Sequence, residues 1–342
     1  MNNSLKVILV ICLIIILLII VLVYYQSFNE NTLHQIFYAD YYGDDFPEKE
    51  FLPVEREKKY YERRDSGYSL MKRKSIAILG LAYNLGEENT HKLIRRLKKL
   101  VRYWKDYRII IYAADSTDLT FPILQNYAKY NRKIILPTET FDKTGLNRIQ
   151  KMSRLRNILK KSLKQLSKNS SFIPNHVMLQ DCDLASAISI DGIAHSVSYL
   201  TKGKYDAIFA NGIINEFLIP CHIPYVGYFY YDSFAYLEDP KNSNPPLVKN
   251  MALRRGEELV SVISAFGGAA IYKYKPFISF QYDENELYEC EHITLHKKMY
   301  KQGYHLAINP SLLLISGRQG ENFHKDVEKV RLGHQGYKRN TL

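Results

Sequence analysis

Apolar positions are distributed very unevenly along the chain. Residues 7–23 form an unbroken run of 17 apolar side chains behind Lys6, ending at Tyr24 and Tyr25. A helix of that length nearly spans a bilayer core, and tyrosines suit its interface, so the run predicts a single transmembrane helix within residues 1–25. Tyr25-Gln26-Ser27 lacks the small residues of a signal-peptide cleavage site. Positive charge before the run (Lys6 and the terminal amine) and acids after it (Asp40, Asp44, Asp45, Glu48, Glu50) predict a cytosolic N-terminus. Over residues 26–74 the apolar positions lose their period among charges and tyrosines, which predicts a stem.

From Ser75 the pattern changes to alternating strands and amphipathic helices, the signature of an open α/β sheet occupying residues 75–342. Residues 76–81, 108–113, 133–136 and 176–179 are short apolar runs that predict strands. Leu93, Ile94, Leu97, Leu100, Val101 and Trp104 share one helical face opposite lysines and arginines. A longer helix over 146–166 places Leu146, Ile149, Met152, Leu155, Leu159, Leu163 and Leu166 at helical spacing and also carries Arg148, Arg154, Arg156 and Asn157. No internal repeat is visible.

Composition narrows the class. A hydrophobic content of 46% is that of a folded domain with a core, and a formal charge of +12 points to anionic partners without choosing among them. Three of the four cysteines lie beyond the apolar run, at Cys182, Cys221 and Cys290, which is neither a disulfide framework nor zinc spacing.

The candidate chemistry gathers at strand ends, where open α/β sheets place ligands. Ala82, Tyr83 and Asn84 follow the first strand, and Asp115-Ser116-Thr117-Asp118 follows the second. Asp181-Cys182-Asp183 follows the fourth; acids two apart on a strand point the same way and can hold a divalent cation against a diphosphate. Arg154 or Arg156 can give bidentate contacts to phosphate oxygens. Asp232 lies inside the aromatic segment Tyr230-Tyr231-Asp232-Ser233-Phe234, suited to sugar rings and hydroxyls. Phe266-Gly267-Gly268 is a turn where backbone can approach a ligand, and Glu291 with His292 opens a helix with an acid beside an imidazole.

In order and spacing these motifs resemble those of GT-A glycosyltransferases, in particular the fungal Golgi α-mannosyltransferases and the capsule-associated mannosyltransferases. The resembling strings are Asp115-Ser116-Thr117-Asp118, Arg154-Leu155-Arg156-Asn157, Asp181-Cys182-Asp183, Tyr231-Asp232-Ser233 and Phe266-Gly267-Gly268, within residues 75–316. The resemblance implies a GT-A (Rossmann-like) open mixed sheet flanked by helices, a Mn²⁺ or Mg²⁺ cofactor, and a nucleotide-sugar donor, GDP-mannose being favoured. It implies Asp183 as the main metal ligand, Asp181 on metal or ribose, Arg154 or Arg156 on the donor phosphates, and Glu291 on the reacting sugar or acceptor. It also implies retention of anomeric configuration. The mannan enzymes carry a histidine after the last strand; here Ser316-Gly317-Arg318 follows, leaving His292 and His324 as candidates. The resulting expectation is a single-pass type II enzyme of Golgi or ER membranes acting on a glycan or glycoprotein acceptor, with no nucleic acid partner. Its rivals are a membrane-tethered basic module for polyanions or nucleic acid, and a GT-A domain that binds glycans without catalysis.

Overall fold

A computed structural model describes residues 43–51, 57–184, 186–217, 226–238 and 253–316, together with positions 16–18 and 53. The predicted transmembrane run at 7–23, apart from 16–18, lies outside the described residues, as do Cys221 and His324. Among the described residues no helix is long and apolar enough to cross a membrane.

A 3-10 turn at Glu48–Glu50 precedes helix α1 (Glu57–Met71), strand β1 (Ser75–Leu81) and helix α2 (Gly86–Val101). Strand β2 (Asp106–Tyr112), α3 (Thr120–Tyr130), β3 (Ile134–Ile135), α4 (Arg148–Asn169) and β4 (His176–Asp181) continue the alternation. Then come α5 (Ile190–Lys202), β5 (Ala207–Phe217), β6 (Val226–Tyr230), β7 (Val260–Ser261), β8 (Ala269–Lys273), α6 (Tyr274–Ser279), α7 (Glu291–Lys301) and β9 (Leu306–Ile315). One sheet joins the strands in the order β3-β2-β1-β4-β8-β5-β9-β7, with β6 on β5. Strands β1 to β4 pair in parallel, while β8 runs antiparallel between β4 and β5. The sheet is therefore mixed, open and flanked by helices.

Side-chain alternation divides the core between the two sheet faces. Ile76, Ile78, Ile109, Ile111 and Met178 pack on one side with Leu93 and Leu97 of α2 and Ile193 and Val197 of α5. Ala77, Leu79, Ile110, Val177 and Leu179 pack on the other with Leu159 and Leu163 of α4 and Leu295 of α7. Because both faces are covered, these strands read as continuous apolar runs rather than alternating ones.

Of the stem expected over 26–74, residues 26–42, 52 and 54–56 lie outside the described residues, and the rest is described. Residues 43–51 and α1 are packed on the domain, with Tyr60 2% exposed and Met71 fully buried. Contact is made by Tyr60, Leu70 and Met71, by the Tyr68 hydroxyl on Asp191 and by a backbone approach rather than by a continuous aliphatic stripe, which is why composition conceals it. At Gly67 an added Cβ would overlap the Ala194 carbonyl of α5. Gly67→Ala is accordingly expected to lower stability by about 1–3 kcal/mol, the overpacking cost outweighing a helix-propensity gain of at most ~1 kcal/mol. Urea unfolding of the two proteins checks it; an equal or higher midpoint for the variant would mean the helices do not pack this closely.

Candidate active site

The C-terminal ends of β1, β2 and β4 form one rim, since Leu81 is in register with Tyr112 and with Asp181. The Ala82 amide donates to Tyr112 O at 2.9 Å. Asn84, in a left-handed conformation (φ 48°), accepts from the Thr117 amide at 2.8 Å, stitching the first two loops together. Tyr83 is 64% exposed above them. Asp115 is half-buried and paired with Lys143. These four positions follow the in-register C-terminal ends of β1 and β2.

Asp181 ends β4, its amide donating to Gly268 O at 2.9 Å. Cys182 turns into the apolar core against Gly80, where an added Cβ would sit 2.5 Å from its sulfur. Asp183 is exposed. The Asp181 side chain remains 21% exposed and lies 3.9 Å from Arg156 Nη2. The Tyr231 hydroxyl donates to its Oδ2 at 3.4 Å, a long bond. Burial raises the Asp181 pKa to about 7, with Asp183 and Glu291 pushing the same way and Arg156 and Arg148 opposing.

Helix α4 brings in the arginine. Asn147 caps it through a reciprocal bond with Gln150, and Arg156, two turns along, is 3% exposed. Its Nε donates to Glu291 Oε1 at 3.0 Å, and its guanidinium lies over the Phe266 ring. The Glu291 side chain, in the first turn of α7, is 4% exposed, and its Oε2 receives the Cys290 thiol at 3.6 Å. Asp232 sits in the left-handed region (φ 66°), where an aspartate is tolerated, and begins the 3-10 turn Ser233–Ala235. Burial, with the charges of Asp181 and Glu291, pushes its carboxyl well above the ordinary range. The turn Gly267-Gly268 has positive φ at both residues, and an added Cβ on Gly268 would crowd Leu184 and Leu314 at 3.1 Å and Tyr231 at 3.3 Å.

The structure thus joins Asp181, Asp183, Asp232, Glu291 and Arg156 into one electrostatic cluster. Arg154 is elsewhere: it faces Glu284 at 3.6 Å and lines a groove of about 730 Å³ on the outer side of α4. Its assignment to donor phosphates beside Asp181 is corrected by helix geometry, since positions two apart point to different faces. His292 is 2% exposed, stacked on Phe266 at 4.1 Å and 3.8 Å from Glu291. Among the described residues no three His, Cys, Asp or Glu side chains form a group able to hold a metal ion. His292, the third ligand expected from the sequence, lies in the core behind Glu291 and belongs to no such group. Arg148, whose charge reaches Asp181 and Asp232, belongs to the cluster although no sequence motif singles it out.

The donor set fits a small hard cation that completes its coordination with substrate oxygens. Magnesium-type ions take one or two carboxylates plus phosphates and waters, not a full protein cage. Asp181 and Asp183 offer two, in a pocket where acids already repel one another. A stability consequence follows. An acid whose folded pKa exceeds its unfolded value binds extra protons in the fold, so metal-free protein should lose stability as pH rises from about 4 to about 7. Asp181→Asn is expected to flatten that slope in urea midpoints taken at pH 5 and pH 8; an unchanged slope would place the burden on other groups.

No protein-family pattern matches the chain, and no characterised protein matches it in sequence. Solved structures do resemble it. The TarS fragment 1–349 of S. aureus overlaps at 15% identity and a TM-score of 0.44, covering 75% of this chain and 64% of that fragment. Another TarS structure is described in complex with UDP-GlcNAc. The mannosyltransferase PcManGT of Pyrobaculum calidifontis, in complex with GDP-Man and Mn²⁺, gives 12% identity, a TM-score of 0.46 and coverage of 83% and 74%. GalNAc-T7 with UDP, GalNAc and Mn²⁺ gives 13% identity, a TM-score of 0.47 and coverage of 72% and 44%. At such values the functional reading rests on this chain's own residues.

Proposed function

We propose that the protein is a GT-A-type glycosyltransferase that moves a sugar from a metal-bound nucleotide sugar to a hydroxyl of a glycan. The observation that carries this is the acid pair Asp181 and Asp183 at a sheet rim, with the buried Arg156–Glu291 ion pair behind it and Asp232 beside it. A Mn²⁺ or Mg²⁺ held there supplies neutralising charge for the departing diphosphate. The chain's own groups do the rest. Asp181 and Asp183 are the ligands, and Arg156 fixes Glu291 in one orientation. Asp232, half-buried beside Asp181, can hydrogen-bond a sugar hydroxyl, and the buried Glu291 stands behind it in the same charge cluster. Tyr83 and the loops carrying Asn84 and Asp115 border the nucleotide. In this reading residues 7–23 anchor a type II protein in a Golgi or ER membrane, and mannose from GDP-mannose remains the favoured donor.

The test is turnover of GDP-mannose, UDP-GlcNAc and UDP-GalNAc, each with and without a chelator. Metal-dependent consumption of one of them is expected. Activity indifferent to chelation, or none with any nucleotide sugar, would refute the reading.

One feature favours a second reading. The α4 groove carries Arg154, Lys161, Lys164 and Lys168 against only Glu139 and Glu284, a surface suited to a polyanion. Binding through it should weaken steeply with salt and survive loss of both rim aspartates, which separates the two readings.

A further inference from the structure

The loop that carries Asp183 is gripped from outside the sheet. At one end the Asp181 amide donates to Gly268 O, and at the other the Ser186 amide donates to Ile315 O at 3.1 Å. Between them the Leu184 carbonyl, one residue beyond Asp183, accepts Arg96 Nη1 of α2 at 2.8 Å. The same guanidinium donates from Nε at 3.1 Å and Nη2 at 2.9 Å to the carbonyl of Gly43. Arg96 thus bridges the loop and the segment that precedes the domain.

That segment, residues 43–51, lies across the loop like a strap. Its near end is tied to α2 by Asp44 to Arg95 at 2.6 Å and Asp45 to Lys99 at 2.5 Å. At its far end Glu48 accepts from Ser189 Oγ at 2.9 Å, from the Asp191 amide at 3.1 Å and from Arg255 at 2.6 Å. Phe46, 6% exposed, packs between them against Ala187 and Leu313. A cavity of about 50 Å³ is lined by Phe46 and Arg96 together with Gln180, Asp181, Cys182 and Leu184. Burial lowers the Arg96 pKa to about 10, a cost tolerated because the guanidinium is matched to two carbonyls.

We infer that Arg96 is a positioning residue for the Asp181–Asp183 loop and that the strap is its second jaw, so the seating of residues 43–51 governs how tightly a divalent cation is held. The inference deepens the reading of Asp181 and Asp183 as metal ligands and rests on it. Groups that orient ligands without touching the metal change its affinity by about 10–100-fold when removed, and a loop end held through one carbonyl is such a case.

The experiment uses the full chain, with Mn²⁺ followed by electron paramagnetic resonance in the presence of GDP and, separately, UDP, and with amide hydrogen exchange of metal-free protein. Arg96→Ala is expected to weaken Mn²⁺ binding by about 10–100-fold and to speed exchange within residues 182–187. Arg96→Lys keeps the charge but cannot fork across two carbonyls, so it should fall in between; it carries the comparison if the alanine variant does not fold. Lys92→Ala, which removes an i,i+4 pair with Glu88 on the same helix and no tie of the strap, should stay within about twofold of the wild type. Wild-type Mn²⁺ affinity and unchanged exchange in both Arg96 variants would overturn the inference. If the wild-type protein binds no Mn²⁺, the proposed function fails instead, and exchange alone decides: acceleration confined to 182–187 upholds the clamp, and none refutes it.

Discussion

Asp183→Ala is expected to reduce sugar transfer by about 1000-fold or more while leaving the melting temperature within a few degrees of the wild type. Asp183 is exposed in the loop just beyond β4 and contributes nothing to the core, so its removal resembles an ordinary surface substitution in stability. Its loss from the metal is a different matter. A cation on a departing diphosphate contributes several kcal/mol to the transition state, and about 4 kcal/mol corresponds to roughly 1000-fold in rate. Initial rates at saturating Mn²⁺, set beside calorimetry, check both halves. A variant that retains a tenth of the activity would show that this carboxylate is not a principal ligand.

Arg156→Ala is expected to have the largest effect on stability, about 3–5 kcal/mol. Its side chain and that of Glu291 are each 4% exposed and joined at 3.0 Å, so truncation leaves a buried carboxylate without its counter-charge. Asp181 would lose a cation 3.9 Å away as well, adding to the repulsion among Asp181, Asp232 and Glu291. The paired variant Arg156→Met with Glu291→Leu removes both charges and should recover much of the loss, because replacing a buried ion pair with apolar groups is often neutral. Urea unfolding of the wild type, Arg156→Ala, Arg156→Met, Glu291→Leu and the paired variant measures the coupling. Additive losses would mean that the two side chains do not act as a unit.

The parts of the fold that sequence reveals are those with local causes. Both-face burial makes β1, β2 and β4 continuous apolar runs, and their ends place Asn84, Asp115 and Asp181 where strand geometry expects them. The insertion of antiparallel β8 between β4 and β5 has no local cause and cannot be read from any single segment. The buried positions of α4 make the same point: Ile149, Ser153, Arg156, Lys160 and Leu163 share a stripe that includes two cations. An apolar pattern passes over such a stripe, which leaves Arg154 and Arg156 equivalent until the helix is seen in place. Lys160 is held by the Phe277 carbonyl, a partner distant in sequence. His292 misleads for the opposite reason, since an imidazole beside an acid has the chemistry of a ligand while Phe266 and the core determine where its ring lies.

On the proposed function Asp181 and Asp183 hold a divalent cation together with a nucleoside diphosphate. Titrating Mn²⁺ into the protein with and without GDP or UDP, by electron paramagnetic resonance, tests it most directly. The expected result is one site per chain that tightens when the nucleotide is present and disappears in Asp183→Ala. Binding that ignores the nucleotide, or that persists unchanged in the variant, would contradict it.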